Sequence, residues 1–175
     1  MEIFTPLNEK TIKTLKAGMW IEITGKIFGA RDAAHKKFIE LIKNGDKLPI
    51  DLKGTIIYYV GPTPTATNKI IGSCGPTTSH RMDIYTPVLL KNGLKGMIGK
   101  GKRTENIIKE IKKFKAVYFI TFGGCGAYLS KFIKKSEIIA FPELGPEAVY
   151  SLDVHKFPVI VGIDSYGKDI YNKRP

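Results

Sequence analysis

Cysteine is scarce in this chain: Cys74 and Cys125 are the only two in 175 residues. Both stand beside glycines in turn-like sequence, not at the spacing of a disulfide framework, so they are expected as reduced thiols. No uninterrupted apolar stretch approaches the roughly 20 residues needed to cross a bilayer, and Met1 to Lys13 lacks the apolar core of a signal peptide. A cytoplasmic protein with no membrane partner is the expectation. Internal repeats and low-complexity tracts are missing, and Pro and Gly are scattered as punctuation without gathering into a linker. Residues 1–175 are therefore expected to form a single domain. Acidic residues are in deficit, 16 against 28 Lys and Arg, for a formal charge of +12.

That charge favours a negative partner, which could be nucleic acid, an acidic protein surface or an anionic metabolite. Many lysines fall in HKKFIELIKNGDK and KEIKKFK, where solvated helix faces account for them. Tyr58, Tyr59, Tyr118 and Phe119 lie within apolar strand-like runs and read as core positions, not as a base-stacking platform. A basic module for RNA or DNA is thus the weaker alternative, and no nucleic-acid partner is expected. With 43% hydrophobic residues, nine Phe and eight Tyr, the chain has ample material for a core.

The hydrophobic pattern predicts a strand over Met19 to Phe28, closed by Gly29, and a helix over Arg31 to Lys43 stopped by Asn44-Gly45. Thr55 to Gly61 reads as a short buried strand. The stretch PTPTATNKIIGSCGP is too rich in Pro, Gly, Ser and Thr for regular structure and reads as a crossing loop. A helix is expected from Thr77 to Lys91, then a strand at Lys95 to Ile98, a helix at Thr104 to Lys113 and a strand at Ala116 to Thr121. Beyond these come a helix start near Ala127, a strand at Glu137 to Phe141, a helix around Pro146 to Val154 and a strand at Pro158 to Asp164. Alternation of strands and helices after an N-terminal β portion implies an α/β layered fold.

Chemistry concentrates in CGPTTSHRMD, Cys74 to Asp83. Gly75-Pro76 fixes a turn, and a helix starting at Thr77 would expose unpaired backbone N–H donors at its positive end, an anion receptor. Thr77 and Thr78 can serve as cap or ligand hydroxyls, and Arg81, one turn later, offers a planar fork suited to a carboxylate. The plain alternative is a capped helix whose Arg81 pairs with Asp83 or solvent. A second cationic element is KGMIGKGK, Lys95 to Lys102, where flanking glycines let the Lys100 head be aimed into a cleft. It lacks the order of a Walker A loop. Arg31 opens a helix, a position the dipole disfavours, and this favours a site role for it. His35 follows on the same face and reads more readily as a packed or supporting histidine. His80 and His155 show no ligand spacing with Cys or carboxylates, so no metal site is expected on this chain.

Taken together and in order, GARDAAHKK, CGPTTSHRMD, KGMIGKGKRT and FGGCGAYLSKFIKKSEIIAFPELGPEAV resemble the β subunit, or C-terminal region, of class I fumarate hydratases. The β subunits of L-tartrate dehydratases are similar too. The resemblance runs from about Met19 to Asp164. It implies a swivelling β/β/α domain of an iron-sulfur hydro-lyase that interconverts fumarate and (S)-malate. It also implies a four-iron four-sulfur cluster held by three cysteines of an α subunit and not by this chain. The assembly would be a hetero-oligomer, for which two copies of each subunit is one arrangement. Arg31, Arg81 and Lys100 match the family's dicarboxylate-binding positions, and Thr77 matches the threonine assigned as base. A free threonine hydroxyl is a poor base, so that role requires an alkoxide supported by nearby cations and the helix N-terminus, whereas a hydrogen-bonding orienter requires less. Thr78, His35 and Gly75 would lie behind these residues. One departure is His80, where the family commonly has Gly. It would be costly at a positive φ and harmless in a first helical turn.

Overall fold

The computed structural model describes residues 1–172. Among these, seven strands, β1 (Glu2–Phe4), β2 (Trp20–Gly29), β3 (Ile56–Tyr58), β4 (Gly96–Gly99), β5 (Val117–Ile120), β6 (Ile133–Ala140) and β7 (Val149–Ile163), form one sheet. Neighbours β2, β3, β4 and β5 run parallel, while β7 pairs antiparallel with both β2 and β5. The pairing thus closes on itself through β2, β3, β4, β5 and β7. β1 adds to the first half of β2, and β6 adds to the first half of β7.

The period-2 alternation of the strands separates two cores. Ile56 and Tyr58 of β3, Ile98 of β4, Val117 and Phe119 of β5, and Ile21, Ile23 and Ile27 of β2 share the interior cluster with Leu152, Phe157 and Val159 of β7. Their sequence neighbours Ile57, Tyr59, Met97 and Tyr118 point the other way, into a second cluster. There they meet Ala34 and Phe38 of α2 (Asp32–Asn44), Leu89 and Leu90 of α3 (Thr86–Lys91), and Ile107 and Ile111 of α4 (Glu105–Phe114). The result is the expected α/β layering of sheet and helices. Tyr58, Tyr59, Tyr118 and Phe119 are all fully buried, as their apolar context requires, and offer no face to a nucleic-acid base.

Several expected elements are corrected. The helix over Thr77 to Lys91 does not form as one piece. Thr78 is extended, a 3-10 turn spans Ser79–Met82, and only Thr86–Lys91 is α-helical. The reason is competition from the sheet: Thr77 N donates to Tyr59 O (2.7 Å), Ser79 N to Lys100 O (2.9 Å) and Lys100 N to Thr77 O (3.3 Å). The strand-like pairing takes the N–H groups that a helix would have left free. The helix around Pro146 to Val154 is instead a 3-10 segment, Pro142–Glu147, followed by β7, whose first half is held by β2 on one side and β6 on the other. β6 begins at Ile133, earlier than expected. Near Ala127 only the four-residue helix α5 (Gly126–Leu129) forms. β1 and helix α1 (Glu9–Thr14), capped by Asn8 Oδ1 on Thr11 N (2.8 Å), carry too weak a periodicity to stand out in the sequence.

Candidate functional site

Because β2 to β5 are parallel, their C-terminal ends lie along one rim, the usual place for ligands in such sheets. Arg31 follows β2, Tyr59 to Gly61 follow β3, Lys100 follows β4, and Gly123 to Cys125 follow β5. The crossing loop runs over this rim and is tied down at each step. Cys74 N donates to Gly126 O (3.0 Å), Thr77 N to Tyr59 O, and Thr78 bridges Lys100 in parallel. The segments carrying Thr77, Thr78 and Lys100 are therefore one backbone-bonded unit. Gly99 permits it, since a Cβ there would stand 2.0 Å from Ser79 Oγ and 3.0 Å from Tyr59 Cδ2. Gly123 lies along the Lys100 shaft: a Cβ on it would be 3.5 Å from Lys100 Cδ.

Arg31 and Arg81 come together through a residue that sequence reasoning passed over. Asp32 accepts from Arg31 Nε at Oδ2 (3.1 Å), and its Oδ1 stands 2.9 Å from Arg81 Nε. Glu147, far along the chain, places Oε1 3.3 Å from an Arg31 terminal nitrogen, and its Oε2 accepts from Ala33 N (2.7 Å). This explains how an arginine is tolerated at the start of α2, because two carboxylates offset its charge where the dipole is positive. Arg31 is mostly covered, its side chain 23% exposed, whereas Arg81 is 46% exposed. Arg81 pairs with Asp32 and not with Asp83. No local pattern signals the Glu147 partnership; Asp32 was legible only as the residue after Arg31.

Asp83 serves a buried network. Arg103, with a side chain 0% exposed, donates through Nε to Asp83 Oδ1 (2.6 Å) and through a terminal nitrogen to Thr86 Oγ1 (2.8 Å). The second Asp83 oxygen accepts from Thr104 N (3.0 Å) at the start of α4. The guanidinium lies over Tyr59 and Tyr118, 5.6 and 5.1 Å from their ring centroids. Tyr118 OH in turn donates to Gly101 O (2.8 Å) and stands 2.9 Å from Ser79 Oγ, whose hydroxyl can donate to it. Burial holds the Tyr118 phenol above its ordinary range, so it stays protonated. Arg103 lies in KGMIGKGKRT, but nothing in that run distinguishes a buried arginine from the exposed basic residues beside it.

His35 is fully buried behind Arg31. Its Nδ1 stands 2.9 Å from the Arg31 carbonyl, which fixes the proton there, while Nε2 has no partner among the described residues. Burial pushes its pKa down to about 4, outweighing the Arg31 carbonyl and Asp32, so at neutral pH it brings no cation to the rim. His80 is exposed in the 3-10 turn and is not among the residues with positive φ, so its presence in place of Gly brings no backbone strain. Gly75 packs beside Gly126, and Thr78 takes part in the bridge to Lys100. Thr77 makes no side-chain hydrogen bond among the described residues.

The residues do not fit an iron-sulfur cluster. Cys74 is buried, its Sγ faces Gly72 O at 3.3 Å, and burial pushes its thiol up to about 12, far from the thiolate that iron requires. Cys125 is exposed alone, and no group of three His, Cys, Asp or Glu side chains among the described residues could hold a metal ion.

A closed α/β sheet, with Arg31, Arg81 and Lys100 gathered along the rim of its parallel strand ends and the two arginines tied to Asp32 and Glu147, defines the class of protein. The chain belongs to the Fumarase C-terminus family, whose model matches residues 1–174. It is 40% identical over 176 residues to a Methanocaldococcus jannaschii protein named "Putative L(+)-tartrate dehydratase subunit beta", covering 97% of this chain and 90% of that one. It is 39% identical to Fumarate hydratase 2 of Leishmania major over 89% of this chain and 28% of the relative. It is 36% identical to the anaerobic class I fumarate hydratase of Escherichia coli K12, over 98% and 31%. The chain thus spans less than a third of these fumarate hydratases but nearly all of the tartrate dehydratase relative. No helix among the described residues is long and apolar enough to cross a membrane.

Proposed function

We propose that this chain is the β-type subunit of a hydro-lyase that interconverts fumarate and (S)-malate, with Arg31, Arg81 and Lys100 as its dicarboxylate-binding residues. The observation that carries this reading is the convergence of Arg31 and Arg81 on Asp32 at the strand-end rim that also bears Lys100. Removing the proton beside a carboxylate drives negative charge onto that carboxylate, and fixed cations stabilise the charge as it develops. Arg81, half exposed with its terminal nitrogens beyond the Asp32 contact, is suited to take one carboxylate as a fork. Lys100 supplies a point charge on the unit that also carries Thr77.

Thr77 orients the reacting groups by hydrogen bonding. The alkoxide needed for a base role drew part of its support from a helix N-terminus at Thr77, and that helix is not there. In this reading the four-iron four-sulfur cluster that assists loss of water belongs to an α subunit with three cysteine ligands, and the two chains form a cytoplasmic hetero-oligomer. The chain itself, residues 1–175, acts as one domain that closes the cationic rim over its partner.

A second reading, an L-tartrate dehydratase subunit, is favoured by the near full-length match to the relative of that name. Anaerobic co-purification with a cysteine-bearing partner, followed by turnover assays with fumarate, malate and tartrate, separates the two. Turnover of fumarate and malate supports the first reading. Turnover of tartrate alone replaces it with the second, and turnover of none of them removes both.

A further inference from the structure

We propose that Asp32 is the positioning residue of the cationic rim, holding the Arg31 and Arg81 side chains by their Nε edges so that the Arg81 terminal nitrogens form the open end of the clamp. The inference rests on the dicarboxylate reading above for its kinetic arm, but its geometric content is independent of it.

Two arginines on adjacent strand-end loops repel one another and, left alone, would spread into solvent. Asp32 stands between them with one oxygen for each, Oδ2 to Arg31 Nε at 3.1 Å and Oδ1 near Arg81 Nε at 2.9 Å. Each contact uses the edge nitrogen of the guanidinium and not its two-pronged end. Arg31 is held further by Glu147 at one terminal nitrogen, and Gly61 leaves room for the other, since a Cβ there would stand 3.1 Å from it. Arg81 has no second anchor among the described residues. Its pair of terminal nitrogens, the part that matches a carboxylate with two parallel hydrogen bonds, is the portion left over. Asp32 is itself well placed to stay put: it is the first residue of α2, where a negative charge is favoured, and Glu147 fixes the same turn through Ala33 N.

The opposite role is also physically definite. A carboxylate on two arginines could compete with the substrate for them, in which case its removal would tighten binding. The sign of the effect therefore decides the matter. Asp32→Ala and Asp32→Asn are made in the assembled complex, and kcat and KM are measured for whichever dicarboxylate the wild type turns over. Positioning predicts kcat/KM lowered about tenfold or more with KM raised, because a clamp misaimed by an ångström binds the carboxylate poorly and stabilises the developing charge less. An unchanged or lowered KM overturns the proposal, as does loss of kcat at constant KM, which is the mark of a smaller folded fraction. A parallel measurement needs no turnover. In the full chain, the Nε–H protons of Arg31 and Arg81, assigned apart from the buried Arg103 Nε–H that stays slow in both proteins, exchange more slowly with solvent in the wild type than in Asp32→Ala. If neither speeds up in the variant, Asp32 does not hold them. Slow wild-type protons lost in the variant, in a complex that turns over no dicarboxylate, uphold the positioning role and sink only the substrate reading.

Discussion

Lowering the pH from 7 to 4 tests the burial of His35. Its folded pKa lies near 4 against an ordinary 6.5, and Nε2, the atom that would take the proton, has no acceptor in reach among the described residues. The unfolded chain therefore binds a proton below about pH 6.5 that the folded chain refuses, so stability rises with pH across this window. The contribution is present in full above pH 6.5, is lost progressively on acidification and levels off near pH 4. A gap of about 2.5 pH units at about 1.4 kcal/mol each gives about 3 kcal/mol. At this chain length that corresponds to a fall in Tm of roughly 6–12 °C. Other carboxylates titrate in the same range, so the informative quantity is the difference from His35→Asn, which keeps a donor near the Arg31 carbonyl but has no proton to gain. Denaturant midpoints at pH 7, 6, 5 and 4 should converge on acidification, the wild type falling further by about 3 kcal/mol. Parallel curves for the two proteins would refute the reasoning.

Three further outcomes follow from the geometry. Asp83→Asn strips the buried Arg103 of its counter-charge and should cost about 3–5 kcal/mol, while the double variant Asp83→Leu/Arg103→Met should recover most of it, as read by urea unfolding. Gly99→Ala drives a methyl group toward Ser79 Oγ and should destabilise by about 1–3 kcal/mol in thermal melts. Arg81→Ala, at a half-exposed position, should leave stability within about 1 kcal/mol. The same variant should slow dicarboxylate turnover about 10- to 150-fold, the worth of a charge-assisted hydrogen bond of roughly 1.5–3 kcal/mol.

The strands of the parallel core were legible because buried β runs such as Thr55 to Gly61 and Ala116 to Thr121 are continuous and bounded by glycine or loop sequence. α2 and α4 were legible from their apolar stripes. What failed were segments whose form is decided from afar. Thr77 to Asp83 has a helix-like pattern, but the edges of β3 and β4 claim its N–H groups. Pro146 to Val154 likewise yields to two flanking strands. Arg31, Arg81, Lys100 and Thr77 could be singled out by residue type and motif, but that they share one rim could not, because it depends on the parallel order of β2 to β5 and on the bonding of the crossing loop to Tyr59 and Lys100. The carboxylates behind them did not: Glu147 meets Arg31 only because β6 and β7 bring the Pro142–Glu147 turn back to α2, and no local signal encodes that return.

The backbone bonds that join Thr77 to Lys100, with Asp32 between the arginines, give the rim its geometry when the chain folds. If the rim receives a dicarboxylate as proposed, these bonds mean that the segments carrying Thr77 and Lys100 need not be brought together on binding, so that part of the ordering entropy does not fall on the encounter. The rate of such an association would then be set by the long-range field of a chain carrying +12 and should decline with ionic strength while the fitted geometry stays the same.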